Sequence, residues 1–547
     1  MLIVLGFAWR PLSGGDDFWA HASIGRWILE NGRIPRETLF LWSEKIPWIA
    51  HAWGTGIIFA LLMRIGGESG GPFLAQALNA LFCAAPFALL WRFYRRNARF
   101  SSWMAPLFVL AIWVSAARFH PRPELFTALF LTLLLLFLQA WPRSEKAWPQ
   151  REAAPRTQIA GVLLMFAVWP NLHGAVAMGL VILWASALAE LIQSRGDKRL
   201  LALAAICTLL MFVCNPRGFE YIRVIVPIAS KTFERIDEWK PFWKWPALAT
   251  ELWVGELLLW AIGMALWLNN PNRRWMQLGW MLLMLAAFLQ ARRQLWLTAL
   301  TSLFVIVSNV RANSDDCFRG WRQLTKGDIQ EPIPAPMRLI ARLGTLLILG
   351  CALAQAISKD ALPPRAVSAK LPVRMASFLR DSAPRGHLFN DYEFSAYLQW
   401  AFHNKRGLFI DLNNAYPDSL MDEYFEAQAS AKKPPALATL DEKRDPIMAR
   451  LTAQQKAAPG RKISAQQKTE LAQIDAKRAP LQKSWNIERA KSDVKRGQLL
   501  ARRKIEVVSL RPFTDKEGLS VLGRYLDRSP QWRRLYRGND GTVWARR

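Results

Sequence analysis

Apolar runs recur along the first two thirds of the chain and constrain its fold more than any other feature. From the N-terminus to about Ile357, many runs approach the roughly 20 residues needed to cross a hydrocarbon core of about 30 Å as a helix. Residues 358–547 contain no such run. The sequence therefore predicts a mainly α, polytopic membrane domain over 1–357 and a soluble domain over 358–547.

Basic clusters between the runs predict the topology, because cytoplasmic loops of membrane proteins are enriched in Lys and Arg. Placing these clusters inside requires Phe18–Leu29 and Ile49–Ile65 to lie along the outer interface as amphipathic helices. About eleven spans then follow, at residues 1–13, 72–91, 101–117, 123–141, 159–171, 175–193, 200–214, 247–268, 275–289, 294–310 and 338–357. The inside loops are 92–99, 143–156, 195–199, 273–274 and 311–338. In a bacterial inner membrane the soluble domain would be periplasmic.

The formal net charge of +29 is explained in large part by these loops and by contact with anionic lipid headgroups or phosphates, so no nucleic acid partner is expected. The five cysteines all precede residue 358 and predict neither a disulfide framework nor a metal cluster.

Polar residues next to span ends gather on the outer face in this topology. They are Asp16, Asp17, His21, His51, Arg118, His120, Arg122, Asn171, His173, Asn215, Arg217, Asp237, Glu238, Arg292 and Arg293. Polar groups at span ends are unfavourable unless hydrated or paired, so the gathering predicts a shared aqueous cavity. The alternative is that these residues only terminate spans.

Asp16 and Asp17 are adjacent carboxylates that begin an amphipathic segment ending at Asn31-Gly32, a sequence typical of a helix end. Adjacent carboxylates repel each other, so at least one requires a cation, a donor or a proton. Asp17 could take a proton from a hydroxyl or amine acceptor during substitution at a sugar carbon. The alternative is that one of the two caps the helix.

Five arginines break the positive-inside trend, namely Arg118, Arg122, Arg217, Arg292 and Arg293. A guanidinium matches phosphate in geometry and charge, so this set is a candidate phosphate site. The alternative is pairing with Asp237, Glu238 or lipid headgroups.

Four of the six histidines, at positions 21, 51, 120 and 173, lie on the same face. No two of them have helical i, i+4 spacing and no H-E-x-x-H motif occurs, which favours hydrogen bonding or proton transfer over a zinc site.

Several of these segments resemble bacterial membrane glycosyltransferases of the GT-C superfamily. The similar segments begin with Asp17-Phe18-Trp19-Ala20-His21, Gly25, Ile34-Pro35 and Pro47-Trp48-Ile49-Ala50-His51. They continue with Trp169 to Gly174, Asn215-Pro216-Arg217-Gly218, Glu238-Trp239, Arg292-Arg293 and Phe389-Asn390-Asp391-Tyr392-Glu393 through Ile410-Asp411. The resemblance covers most of the chain apart from roughly Ser430–Arg503.

The resemblance implies an inverting transfer of a hexose or pentose from a polyprenyl-phosphate donor to a glycan, lipid or protein acceptor in the cell envelope. Asp17 would be catalytic, with Asp16 beside it, and the five arginines would bind the donor phosphate. His21, His51, His120, Asn171, His173, Asn215 and Glu238 would complete the polar face. No cofactor is firmly implied, and a divalent cation stays open. Ala20 and Ala52 depart from the family, which commonly has Trp and Glu at these positions.

The soluble domain divides by composition. Val373 to Phe402 and Gly407 to Ala415 alternate apolar stretches with turn sequences and predict a small α/β unit. Residues 430–503 are charged and rich in Ala and Gln, which predicts an inserted pair of solvated helices, and apolar content returns from Val507 to Trp544.

Two other functions fit the sequence. A transporter or flippase for a lipid-linked saccharide would need polar sites in mid-span or an internal repeat, and the sequence pattern indicates neither. A non-catalytic scaffold of a polysaccharide-assembly complex, recruiting envelope proteins through residues 430–503, is favoured by the departures at Ala20 and Ala52.

Overall fold

The computed structural model describes residues 2–97, 104–142, 156–193, 198–225, 237–244, 250–310, 350, 365–413, 416–429, 431–457, 464–513 and 520–547. Almost all of the predicted span 338–357, the inside loop 311–338, Cys317, Cys351 and the predicted domain boundary lie outside these residues.

The helices of the first part of the chain carry its apolar runs. They are α1 (Leu2–Ala8), α2 (Asp17–Asn31), α3 (Trp53–Asn97), α4 (Met104–Ser115), α5 (Glu124–Ala140), α6 (Arg156–Leu172), α7 (Val176–Gln193), α8 (Arg199–Val213), α9 (Ile222–Ile225), α10 (Thr250–Leu268), α11 (Trp275–Gln290) and α12 (Leu295–Val310). Short 3₁₀ helices lie at Ala116–Arg118, Gly218–Tyr221, Asp237–Trp239, Phe242–Lys244 and Arg292–Gln294.

Two helices of the described ranges, Trp53–Arg96 and Val176–Gln193, are long and apolar enough to cross a membrane. A third candidate is the pair Arg199–Val213 and Gly218–Val224, which bends by 103° at its break. Shorter apolar helices are Met104–Arg118, Glu124–Ala140, Leu252–Leu268 and Trp275–Gln290. The predicted count of eleven spans is not confirmed, because helices of 16 or 17 residues reach only about 25 Å.

The first predicted span, residues 1–13, is wrong in its length. Helix α1 has only seven residues and stops at Ala8, before Arg10 and Pro11. Pro11 lacks the N–H that would continue the helix.

Helix α3 consists of two segments joined at Gly67, whose φ of 66° and ψ of −164° break the helical geometry. A Cβ on Gly71 would lie 2.8 Å from the Cα of Met63, so the chain turns back on itself at this point. The first segment, from Trp53, packs across α2 where Gly25 and Gly56 meet with no room for a side chain. Residues 9–66 are called the first outer loop, after the predicted topology. Its two helices, α2 and the first segment of α3, are thereby packed against each other.

Two carboxyl groups are buried within apolar helices. Glu190 lies in α7, and Glu256 lies in the second turn of α10, where it accepts a hydrogen bond of 3.0 Å from Ser302 of α12. A hydropathy average taken over a window of the sequence does not reveal a single carboxyl group, because the neighbouring apolar residues determine the average.

The C-terminal part is an α/β unit with a four-stranded sheet. Its strands are β1 (His387–Asn390), β2 (Ile505–Leu510), β3 (Trp532–Gly538) and β4 (Gly541–Arg546). Its helices are α13 (Val373–Asp381), α14 (Ser395–Phe402), α15 (Asp418–Gln428), α16 (Pro435–Ala457), α17 (Ala465–Arg502) and α18 (Val521–Arg528), with a 3₁₀ helix at Tyr392–Phe394. The strand order is β1-β2-β4-β3, with β1 and β2 parallel and the other pairs antiparallel.

Helices α16 and α17 form a hairpin within the crossover from β1 to β2. Ion pairs hold the two helices together, with Arg478 Nε 2.5 Å from Asp441 and Arg444 Nε 2.7 Å from Asp475. A long insertion is accommodated at this point because a parallel pair of strands requires a crossover in any case.

The C-terminal unit docks onto the first outer loop. The guanidinium of Arg26 in α2 lies 3.9 Å above the ring of Trp400 in α14 and donates a hydrogen bond of 2.7 Å to its carbonyl. Leu41 pairs with Leu408 as a parallel β-bridge, and the Trp42 ring stacks on His387 at 3.9 Å. The C-terminal unit therefore lies on the same side of the helices as Asp16 and Asp17.

Candidate active site

The turn that precedes α2 fixes both aspartates. Asp16 is the N-cap residue, but its side chain makes no hydrogen bond to the first turn of the helix. Its Oδ2 instead accepts hydrogen bonds from the backbone N–H and the hydroxyl of Ser13, the latter at 3.0 Å. Capping by the Asp16 side chain is therefore ruled out as its role. Asp17 occupies the first turn, where the helix dipole favours a carboxylate.

Asp17 lies beside an arginine that two carboxylates share. Arg122 Nε is 3.2 Å from Asp17 Oδ2, and Arg122 Nη1 donates to Glu238 at 2.9 Å. Arg118 also donates to Glu238, at 2.6 Å, and makes two further bonds to Glu124. Two guanidinium groups and three carboxylates thus form one network over the ends of three separate segments.

The charges of this network fix its protonation. Burial alone would lower the pKa of Arg122, but the carboxylates of Asp17, Glu238 and Asp16 outweigh burial and raise it. Burial alone would raise the pKa of Glu238, but Arg118, Arg122 and Arg293 outweigh it and hold that pKa well below its usual range. Arg122 and Glu238 are therefore both ionised at neutral pH.

The sequence offered two roles for the five outer arginines, phosphate binding or pairing with protein carboxylates. Arg118 and Arg122 have the second role, since both pair with Glu238. Arg217 is likewise engaged, since its Nη2 donates to the Trp48 carbonyl at 2.5 Å and its Nη1 lies 3.5 Å from Glu220. These three arginines therefore join segments of the protein.

Arg292 and Arg293 form a 3₁₀ turn before α12, and both are half-buried. The Arg293 guanidinium lies 4.3 Å from the centre of the Trp239 ring, which follows Glu238. The backbone N–H of Arg292 donates to the carbonyl of Lys240 at 3.2 Å. In the described part of the chain, no carboxylate lies within ion-pair distance of Arg293, so its charge faces the site without a paired anion.

Two asparagines hold the turns around the site. Asn171 Oδ1 accepts hydrogen bonds from the Trp53 indole at 3.0 Å and from Asn215 Nδ2 at 3.3 Å. Asn215 Nδ2 also bonds the carbonyl of Pro170 at 3.2 Å, and its Oδ1 accepts the N–H of Arg217 at 2.9 Å. Both residues therefore act as structural links between the first outer loop and the ends of α6 and α8.

The histidines surround the same space. Burial lowers the pKa of His21, His51 and His173, and for His51 the value falls to about 4, with His21 and Arg293 adding to the effect. His173 Nδ1 lies 2.8 Å from the hydroxyl of Thr127. These three imidazoles are therefore neutral at neutral pH and can accept or donate a hydrogen bond without adding charge.

His120 has a different environment, because its Nδ1 lies 3.5 Å from Asp16 Oδ1. Among the residues that the structure describes, no group of three or more His, Cys, Asp or Glu side chains has the arrangement of a metal site.

The C-terminal unit completes the wall behind the aspartates. The N–H of Tyr397 donates to the Gly14 carbonyl at 3.0 Å. A Cβ on Gly15 would lie 2.7 Å from the carbonyl oxygen of Glu393, so only glycine fits there. Asp391, which anchors this segment by accepting the N–H of Glu393 at 3.0 Å, is buried, and burial raises its pKa to about 6.

Sequence reasoning missed three contributors to the site. Arg10 was assigned to a span, but it lies beside His120. Glu124 and Thr127 were assigned to the start of a span, yet they bind Arg118 and His173. A signal for Glu124 existed in its short separation from the two arginines of the Arg118-Phe119-His120-Pro121-Arg122 segment.

No family model matches the chain, and a search of curated proteins finds no match. Among solved structures, the chain is similar to the apo crystal structure of an oligosaccharyltransferase from Archaeoglobus fulgidus, with 13% identity and a TM-score of 0.48. That similarity covers 74% of this chain and 62% of the other, so the chain spans about three fifths of the length of the archaeal protein.

The chain is also similar to ArnT from Cupriavidus metallidurans. The apo structure has 16% identity and a TM-score of 0.44, and the structure bound to undecaprenyl phosphate has 16% identity and a TM-score of 0.45. Each covers 77% of this chain and 85% of the other. At these identities no residue role is carried over to this chain.

Proposed function

We propose that the protein is a membrane glycosyltransferase that moves a sugar from a polyprenyl-phosphate donor to an acceptor at the face that carries Asp17. The observation that carries the proposal is the position of Asp17, a carboxylate whose side chain is 33% exposed, beside the half-buried Arg122. A carboxylate beside guanidinium groups can take the acceptor proton while cations stabilise a departing phosphate.

Within this proposal, the role of each arginine follows from whether it already has a partner in the protein. Arg118, Arg122 and Arg217 have protein partners, whereas Arg293 is packed against Trp239 without a paired carboxylate in the described residues. We therefore assign the donor phosphate chiefly to Arg293, with Arg292 beside it. In a bacterial inner membrane this face would be periplasmic, and the acceptor would be an envelope glycan, lipid or protein.

The test uses the full chain in nanodiscs and a panel of radiolabelled undecaprenyl-phosphate sugars, with an envelope extract as acceptor. Asp17→Asn should abolish transfer without weakening the binding of undecaprenyl phosphate, because the phosphate is assigned to Arg293 and loss of a carboxylate does not make the site less positive. Asp422→Asn, remote from the site, is the control. Undiminished transfer by Asp17→Asn would reject the assignment of Asp17.

A second candidate function is transport of a lipid-linked saccharide. The 103° bend between Arg199–Val213 and Gly218–Val224 and the buried Glu256 favour it, because transporters use broken helices and buried ionisable groups. Proteoliposomes that move labelled lipid saccharide across the bilayer without transferring its sugar would establish this function instead.

A further inference from the structure

Arg10 connects α1 to the candidate active site through a histidine. Its Nε donates to the carbonyl of Phe7 at 3.1 Å, which directs the guanidinium along the end of the helix. Its Nη1 lies 3.4 Å from His120 Nε2. The backbone carbonyl of Arg10 is held in turn by the side-chain amide of Gln76. The position of Arg10 is therefore fixed at three points.

This contact determines which nitrogen of His120 carries the proton. A guanidinium has only donors, so His120 Nε2 must be an acceptor. A protonated, cationic His120 would place two positive groups 3.4 Å apart, which is unfavourable. In the neutral imidazole this contact places the proton on Nδ1.

The proton on His120 Nδ1 faces Asp16. The Nδ1 atom lies 3.5 Å from Asp16 Oδ1, while Asp16 Oδ2 accepts from the N–H and hydroxyl of Ser13. Both carboxylate oxygens thus face donors, in a side chain that is only 10% exposed. Burial raises the pKa of Asp16, and the hydrogen bonds from Ser13 and the charge of Arg122 oppose that effect.

We propose that Arg10 is a positioning residue that holds His120 as the Nδ1–H tautomer, so that His120 donates to Asp16 and stabilises the Ser13–Asp16 turn that places Asp17. The catalytic consequence rests on the function proposed above, whereas the hydrogen-bond chain itself does not. The other charged groups that act on Asp16 are Asp17 and Arg122.

The experiment is nitrogen-15 NMR of the full chain labelled at histidine, with the His120 signals assigned by their loss in His120→Asn. The wild type should show a protonated Nδ1 and an unprotonated Nε2. Arg10→Met removes the donor that faces Nε2, so Nε2 should become protonated while Nδ1 keeps its proton towards Asp16. Arg10→Lys, which keeps a group with donors only, should restore the wild-type pattern, and Arg33→Met is the matched control. An Nε2–H tautomer in the wild type, or an unchanged spectrum in Arg10→Met, would overturn the proposal.

A second measurement covers the case in which Arg10→Met does not fold. Asp16→Asn replaces the charged acceptor by a neutral one, so the His120 Nδ1 proton should move upfield as its hydrogen bond weakens. An unmoved proton would show that Nδ1 does not face Asp16, which contradicts the proposal. In transfer assays Arg10→Met should lower the rate, up to about 100-fold, with recovery in Arg10→Lys. A confirmed tautomer in a protein without transfer activity would reject the proposed function alone.

Discussion

The Nε atom of Arg122 lies 3.2 Å from Asp17 Oδ2, yet its N–H does not make a hydrogen bond to that oxygen. Charge holds the two side chains together, and the oxygen is not committed to a directed bond. A carboxylate held in this way keeps lone pairs for another donor, such as an acceptor hydroxyl or amine. The pair therefore places a base beside the cations without consuming its hydrogen-bonding capacity.

Glu238→Gln is expected to separate stability from phosphate binding. Loss of the shared carboxylate leaves the positive charges of Arg118 and Arg122 less compensated. The free energy of unfolding should therefore fall by about 2–3 kcal/mol. The same change makes the site more positive, so binding of undecaprenyl phosphate should tighten by roughly fivefold, equivalent to about 1 kcal/mol. Thermal unfolding and native mass spectrometry measure the two effects. Glu220→Gln, at an exposed ion pair, is the control, and weaker lipid binding by Glu238→Gln would contradict this account.

Gly15→Ala should disable the site by moving the turn that carries the aspartates. The added Cβ would lie 2.7 Å from the Glu393 carbonyl oxygen, so one of the two segments must shift. A shift of about 1 Å at reacting groups lowers rates by up to about 100-fold, and transfer should fall accordingly. Gly161→Ala is the matched control, because no heavy atom lies within 4 Å of the added Cβ. Equal activity of the two variants would show that the contact does not position Asp17.

Stability should depend on pH through His51. Its pKa is about 4 in the folded protein and 6.5 in the unfolded chain, so the unfolded chain binds more protons between these values. Stability is complete above pH 6.5 and decreases as the pH falls toward 4. His51→Gln should remove about 2 kcal/mol of that decrease. Unfolding temperatures at pH 4.5 and 7.5 test this, with the half-exposed His403→Gln as control, and a pH dependence equal to wild type would refute it.

Arg26→Ala should loosen the contact between α2 and α14. The change removes a charged hydrogen bond of 2.7 Å and a cation–π contact with Trp400, together worth about 2–3 kcal/mol. Faster hydrogen exchange in Ser395–Phe402, with unchanged exchange in α12, is the expected result. Arg33→Ala, whose guanidinium lies 5.6 Å from the Trp27 ring within the first outer loop, should leave that exchange unchanged.

Local features of the sequence predicted local structure well. The end of α2 at Asn31 is confirmed, because Gly32 takes the left-handed conformation that a helix end favours, with φ of 66°. Placing Asp17 and Arg122 on one face is also supported, since their side chains form an ion pair. Residue type and distance from a span end were sufficient for these two inferences.

Pairing between distant segments was not predictable from one sequence. Glu238 binds two arginines more than 110 residues away, and composition contains no information about such partners. The burial of Glu256 against Ser302 likewise depends on the packing of two helices. The length of α1 was misjudged because the apolar residues beyond Pro11 were counted as one span with those before it.

The pairing of Leu41 with Leu408 also constrains the order in which the protein can be made. The first outer loop is synthesised early, whereas its partners at residues 387–410 emerge more than 300 residues later. At a translation rate of about 5–20 residues per second, roughly 20–70 s pass between synthesis of the loop and synthesis of residues 387–410, which it contacts. Asp17 therefore acquires its final surroundings only after residues 387–410 have emerged, and a shorter nascent chain has no assembled site.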